Sequence, residues 1–323
     1  MPDERLSLLW LCGPPGVGKS AVGWTLYAAL ARSGARAGFI DIDQLGMCLP
    51  ALPGDPEPYG LKERNLSALS GNFRAADCDA IVLSGDLGPS PGISTETVPG
   101  SSLTICRLRA SLDELGRRLV SRREGPKFVA GALCQDEELD RTSFADACVD
   151  TDGLTVAEVA RLVKERCGEW PTEQVASTRK GISPAPVTNA VDDVLLVCGA
   201  TGVGKPTAGF DVFLRQRRAG LAAAYIDLGQ LGFITPAPND DPGGHQFRAR
   251  NLADHWRNYQ AAGARRIALR GQGLSWPQPG HPLISQPEVF GSVRNCWANM
   301  QLISSGHGYG HRTPGLATGV LLV

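Results

Sequence analysis

"LLWLCGPPGVGKSAVG", residues 8 to 23, returns later in the chain as "VLLVCGATGVGKPTAG", residues 194 to 209, with Lys19 and Lys205 standing 186 residues apart. The same offset aligns "FIDIDQLGMCLP" (39 to 50) with "YIDLGQLGFITP" (225 to 236), Arg64-Asn65-Leu66 with Arg250-Asn251-Leu252, and Gly85 with Gly271. Four blocks in one register predict a duplicated domain. Between the copies lies "PTEQVASTRKGISPAPVTNA", residues 171 to 190, rich in Pro, Ser and Thr and without apolar periodicity, which reads as a linker. The expected organisation is a first domain over 1–170, a linker over 171–190 and a second domain over 191–323.

Around the first block, strand-like and helix-like segments alternate. Leu6 to Cys12 is an apolar run ending in Gly, and Lys19 to Ser33 follows as a helix with Val22, Leu26, Ala29 and Leu30 on one face. Ala35 to Asp43 reads as a second strand, a helix is expected from Leu61, and "AIVLSG" and Ser101 to Arg109 supply two further strands. Ser111 with Glu114, and Thr155 with Glu158, match the S/T-x-x-E pattern that opens a helix; a short strand, "DACVD", precedes the second pair. Such alternation predicts an α/β fold, a parallel sheet flanked by helices.

Composition narrows the classes. Hydrophobic residues make up 42%, charged residues 20%, and the formal net charge is −1, giving no bias toward nucleic acid or an anionic membrane. Arg outnumbers Lys 26 to 6, but the Arg residues are scattered in an Ala-, Gly- and Pro-rich chain, so no basic groove is expected. The nine Cys show no C-x-x-C spacing, and Cys12, Cys106 and Cys198 lie in apolar runs, which points to a reducing cytoplasm. The apolar run in "MPDERLSLLWLCG" is too short and wrongly flanked for a signal peptide or membrane span, and reads as a buried strand.

"GPPGVGKS", Gly13 to Ser20, fits G-x-x-x-x-G-K-S/T directly after an apolar strand and at the mouth of an amphipathic helix. Gly13, Gly16 and Gly18 let the backbone curl with its amides inward, so Gly13, Pro14, Pro15, Gly16, Val17, Gly18, Lys19, Ser20 and Ala21 form the expected cradle for a polyphosphate. Lys19 would neutralise the β- and γ-phosphates, and Ser20 would offer its hydroxyl to magnesium. The expected cofactors are ATP and Mg2+. Asp41 and Asp43, two apart at the end of the second strand, are expected to share a face and point into the same crevice. There they would orient metal-bound water or take an acceptor's proton; the plainer alternative is that one of them caps the following turn. Asp86, just past "IVLSG", is a further metal-site candidate. Arg118 and Arg122, one helical turn apart, read either as a phosphate-covering lid or as an ordinary solvated helix face.

These residues resemble the small-molecule kinases of the P-loop superfamily, such as adenylylsulfate, gluconate and shikimate kinases. The resemblance covers Leu6 to about Glu169 and rests on the glycine loop, on D-x-D after the second strand, on the Arg-Asn pair in "LKERNLSAL", and on "LRASLDELGRRLVSRR". It implies a strand order of 2-3-1-4-5, transfer of the ATP γ-phosphate to a small-molecule acceptor, Asp43 near that acceptor, and Arg residues closing over the phosphates. Adenylylsulfate kinases carry Gly-Asp-Asn where this chain has Ile42-Asp43-Gln44, a departure that bears on that substrate.

In the later copy Gly199, Gly202, Gly204, Lys205 and Asp227 remain, while Ser20 becomes Pro206, Asp43 becomes Gly229 and Asp86 becomes Gln272. Pro suits the first turn of a helix, but it removes both the hydroxyl for magnesium and a backbone N–H. Residues 271 to 323 hold three charged side chains where 85 to 137 hold fourteen, so an irregular tail is expected from about 272; His307 and His311 in "GHGYGH" belong to it. The whole reads as a cytoplasmic ATP-binding protein with a kinase-like first copy and a degenerate second copy that packs against it or binds nucleotide weakly. The alternative is a nucleotide-binding switch or regulatory ATPase that transfers phosphate to no acceptor.

Overall fold

The computed structural model describes residues 6–50, 58–86, 98–121, 126–141, 143–168, 170–171, 193–197, 202–271 and 320–322. The linker over 171–190, apart from Pro171, and both histidines of the tail lie outside them. In chain order the elements are β1 (Leu6–Cys12), α1 (Lys19–Arg32), β2 (Ala37–Asp41), a 3-10 turn (Ile42–Gly46), β3 (Cys48–Leu49), α2 (Tyr59–Ala75), β4 (Ala80–Ser84), β5 (Ser101–Arg109), α3 (Leu112–Ser121), α4 (Pro126–Asp140), β6 (Ala147–Asp150) and α5 (Val156–Arg166). There follow β7 (Asp193–Val197), α6 (Lys205–Arg218), β8 (Ala223–Asp227), β9 (Phe233–Thr235), α7 (His245–Ala261), β10 (Arg266–Arg270) and β11 (Val320–Leu322). The chain divides into two units: Met1–Leu45 with Lys62–Ile182 and Phe233–Asp240, and Gly46–Leu61 with Ser183–Gly232 and Asp241–Val323.

The first unit is built on a six-stranded sheet in the order β6-β5-β1-β4-β2-β9. Its first five strands are mutually parallel, and from β2 inward they run second, third, first, fourth, fifth of the five, the order that the resemblance implies. β1 is buried along its whole length, as a continuous apolar run between two covered faces must be. One face packs Leu9, Leu11, Phe39 and Val82 against Leu26 of α1 and Val163 of α5. On the other face Gly38 leaves room for the ring of Phe73 from α2: a Cβ there would lie 2.5 Å from it. The outermost strand, β9, runs antiparallel to β2 and comes from the later part of the chain.

The second unit has a five-stranded sheet in the order β11-β7-β10-β8-β3. β7, β10 and β8 are parallel, while β11 and β3 are antiparallel additions. Leu196, Ile226, Leu252, Trp256, Tyr259 and Leu269 belong to one core cluster, and Phe213, Tyr225 and Ala268 to another. Part of the segment expected to be an irregular tail therefore forms a strand, Val320–Leu322, because it finds an open edge on β7; residues 272–319 lie outside the described residues.

Three local expectations change. The second strand stops at Asp41, so Asp43 sits on the 3-10 turn rather than on a shared strand face. The cause is the Asp41 carboxylate, which accepts the Asp43 N–H at 3.1 Å and turns the chain out of the sheet. The helix expected from Leu61 begins two residues earlier, at Tyr59. Thr155 and Glu158 form a complete reciprocal cap, whereas at Ser111 only one half exists. There Glu114 N–H donates to Ser111 Oγ at 3.3 Å, but Ser111 N–H donates to both oxygens of Asp152, and the Glu114 carboxylate is taken by Arg117 and Arg118.

Candidate functional site

The glycine loop connects β1 to α1 at the carboxyl edge of the sheet, where a doubly wound fold receives ligands. Gly13, Gly16 and Gly18 have φ of 134°, 87° and 104°, all in the left-handed region. At Gly13 the requirement is absolute, because a Cβ would lie 2.3 Å from the carbonyl oxygen of Leu108. Gly18 caps α1 without a side-chain hydrogen bond and no acidic residue occupies the first turn, so the helix amides keep their capacity for an anion.

Lys19 Nζ donates to the carbonyl oxygens of Gly13 at 2.6 Å and Pro14 at 3.1 Å, folding over the loop that it would neutralise. Burial lowers its pKa, and the carboxylates of Asp43, Asp86 and Asp41, in that order, oppose the shift. The structure thus brings those three acids within electrostatic reach of Lys19. Ser20 is exposed, with its Oγ 3.2 Å from Ser84 Oγ at the end of β4. Burial and the neighbouring Asp43 raise the Asp41 pKa to about 6, against the Asp43 N–H bond and the charges of Lys19 and Lys62.

Asp43 and Asp86 are joined through Lys62. Lys62 Nζ lies 3.0 Å from Asp43 Oδ1 and 2.7 Å from the carbonyl oxygen of Asp86, while Asp86 N–H donates to Asp43 Oδ1 at 3.2 Å. Gln135 of α4 donates to Asp86 Oδ2 at 2.5 Å. Lys62, Ser84 and Gln135 were not singled out from the sequence. Ser84 was legible as the last residue of a strand beside the loop; Lys62 and Gln135 carry no spacing signal, since they reach the acids from separate helices.

Arg118 lies beside the loop, donating to Val17 O at 3.3 Å, Thr151 Oγ1 at 3.1 Å, Thr151 O at 3.1 Å and Glu114 Oε1 at 2.5 Å. Its guanidinium is committed to holding α3 and the turn after β6 against Val17. Arg122 lies outside the described residues. Asn65, of the Arg-Asn pair, is fully buried and donates to Leu45 O at 2.6 Å, a fold-fixing bond, while Arg64 is exposed.

The later glycine loop is described only in part, and Gly199 falls outside the described residues. Gly202 and Gly204 have φ of 87° and 86°, Lys205 is buried, and Pro206 occupies the first turn of α6. Asp227 accepts the Gly229 N–H at 2.9 Å and pairs with Arg270, which stands 186 residues after Ser84. At the 186-residue offset a guanidinium and a proline thus align in sequence with the two hydroxyls, Ser84 and Ser20.

Among the described residues no group of three or more His, Cys, Asp or Glu forms a metal cluster, and no helix is long and apolar enough to cross a membrane. The hydroxyls of Ser20 and Ser84, with Asp41 opposite Ser84 in the sheet register, are oxygen donors of the kind that a hard cation takes when a ligand's own oxygens complete its shell.

No family model matches the chain, and no curated protein matches it. Solved structures similar to it are P-loop small-molecule kinases and a resistance protein. A tunicamycin resistance protein of Deinococcus radiodurans is 23% identical, with 51% of this chain and 96% of that chain covered and a TM-score of 0.37. A gluconokinase from Sinorhizobium meliloti is 22% identical, covering 51% and 94%, with a TM-score of 0.35. The APS kinase of Mycobacterium tuberculosis, solved with AMPPNP and APS, is 21% identical, covering 51% and 98%, with a TM-score of 0.38.

Proposed function

We propose that the chain is a cytoplasmic tandem pair of P-loop domains whose first copy binds Mg-ATP and transfers the γ-phosphate to a small-molecule acceptor. The observation that carries this reading is the convergence at one sheet edge of a three-glycine anion loop, Lys19 folded over it, and three carboxylates within electrostatic reach of that lysine. The duplication is supported by element bounds that repeat at 186 residues: α1 with α6, β2 with β8, α2 with α7 and β4 with β10. A reducing compartment is supported by the Cys residues, most of which are buried among the described residues, where Cys packs as a small hydrophobe.

In this reading the loop amides and Lys19 hold the polyphosphate in line with the acceptor, since positioning and charge stabilisation do most of the work in phosphoryl transfer. Ser20 and Asp41 would hold magnesium, which would offset the charge that develops on the transferred phosphate. Asp43, half-exposed and tied to Lys62, takes the acceptor's hydroxyl hydrogen bond and its proton. Arg118 fixes the outer side of the loop through Val17. The later copy lacks the hydroxyl and the second acid and performs no transfer.

The test is acceptor dependence. ADP release is measured against a panel of sugars, nucleosides, amino alcohols and sulfonucleotides. Stimulation by one member supports the transferase; turnover indifferent to every acceptor, or absent, favours the nucleotide-binding switch.

A further inference from the structure

The first unit's sheet is completed by a strand that its own half of the sequence does not provide. β9 pairs antiparallel along the outer edge of β2, Ala37 opposite Thr235, Gly38 opposite Ile234 and Phe39 opposite Phe233. The second unit's sheet is completed in the same way by β3, with Leu49 opposite Ala223 and Cys48 opposite Ala224. Shifting residue numbers by 186 turns one ladder into the other, so two segments equivalent in sequence have each gone to the sheet of the other half.

Side chains seal both ladders. Phe233 packs edge-on against Trp24 at a centroid distance of 4.8 Å and against Phe39 at 6.0 Å, and Tyr27 Oη lies 2.6 Å from Thr235 Oγ1. In the second unit Met47 O accepts the Tyr225 N–H at 2.9 Å, and Met47 and Leu49 pack on Phe213 and Tyr225. Phe210 and Tyr225 there occupy the places of Trp24 and Phe39. Without β9, β2 would be an open edge, and β2 is the strand that ends in Asp41.

We infer that the later copy serves the first as an edge-strand donor: Phe233–Thr235 is a working part of the first unit, closing the free side of the Asp41-bearing strand. The surface is the outer edge of β2, and its partner is this segment of the same chain. This role needs neither a magnesium hydroxyl nor a second acid, so it is compatible with the losses at Pro206 and Gly229. It does not depend on the phosphoryl-transfer reading, and its tests use no nucleotide.

The first test is a cross-link in the otherwise unaltered full chain. Ala37→Cys together with Thr235→Cys, oxidised and peptide-mapped, is expected to join positions 37 and 235 within one chain, since directly opposed antiparallel residues lie within disulfide range. A link found only between chains, or no link, overturns the inference. The second is hydrogen exchange on the full chain. Phe233→Ala is expected to speed exchange at 37–41 by about tenfold, the equivalent of its aromatic pairs with Trp24 and Phe39 lost, while Phe210→Ala speeds exchange at 223–227 and spares 37–41. If Phe233→Ala instead loosens only its sequence neighbours at 223–235, the strand is not a part of the first unit.

Discussion

Replacing Asp41 by Asn should stabilise the ligand-free protein at alkaline pH, because the native carboxylate is held in a setting that opposes its charge. Its pKa rises from an ordinary 3.8 to about 6, first through burial and then through Asp43. A folded-state pKa above the unfolded one means that the folded chain holds the extra proton between those values. The resulting stabilisation is complete below pH 4 and is lost as pH rises through about 6. A rise from 3.8 to about 6 corresponds to about 3 kcal/mol; solvent reaching the partly exposed carboxylate reduces this to about 1–2 kcal/mol. Asn keeps an oxygen to accept the Asp43 N–H and carries no charge. Thermal unfolding in a chelator at pH 8 should therefore show Asp41→Asn melting about 2–8 °C above the native chain, with the gap closing by pH 4. Mg-nucleotide should narrow or reverse the gap, since the native chain gains binding free energy that the variant lacks. A variant no more stable at pH 8, or one whose advantage grows toward pH 4, would refute the reasoning.

Gly13→Ala places a Cβ 2.3 Å from Leu108 O at a φ of 134°; strain of about 1–3 kcal/mol before any relaxation should lower the melting temperature, together with loss of nucleotide binding in a fluorescence titration. Asn65→Ala leaves the buried Leu45 carbonyl without its 2.6 Å donor, and denaturant unfolding should record a loss of about 1–3 kcal/mol; since Asn251 makes the equivalent bond to Leu231, Asn251→Ala should cost a similar amount. Thr155→Ala removes the complete cap of α5 and should cost about 1 kcal/mol in the same assay, with nucleotide affinity unchanged.

Much of the first unit was legible because each of its signals is local. An apolar run, a glycine loop and an amphipathic helix follow one another between Leu6 and Arg32, and each dictates its own backbone. Asp43 was misplaced because a two-residue spacing says nothing about where a strand stops; the stop depends on which N–H the Asp41 carboxylate takes. Lys62 and Gln135 were invisible because they meet Asp43 and Asp86 across 19 and 49 residues of chain. The strand partners were hidden for a similar reason. "MCL" and "FIT" are three residues each, and nothing in three residues tells which sheet edge they will close.

The central claim is that Lys19 marks a magnesium-nucleotide site which its counterpart Lys205 no longer provides. Calorimetric titration of the full chain with a non-hydrolysable ATP analogue, with and without Mg2+, tests it most directly. The account predicts one magnesium-dependent site, lost on Lys19→Ala and kept on Lys205→Ala. Binding that ignores Lys19, or that disappears only with Lys205, would contradict it.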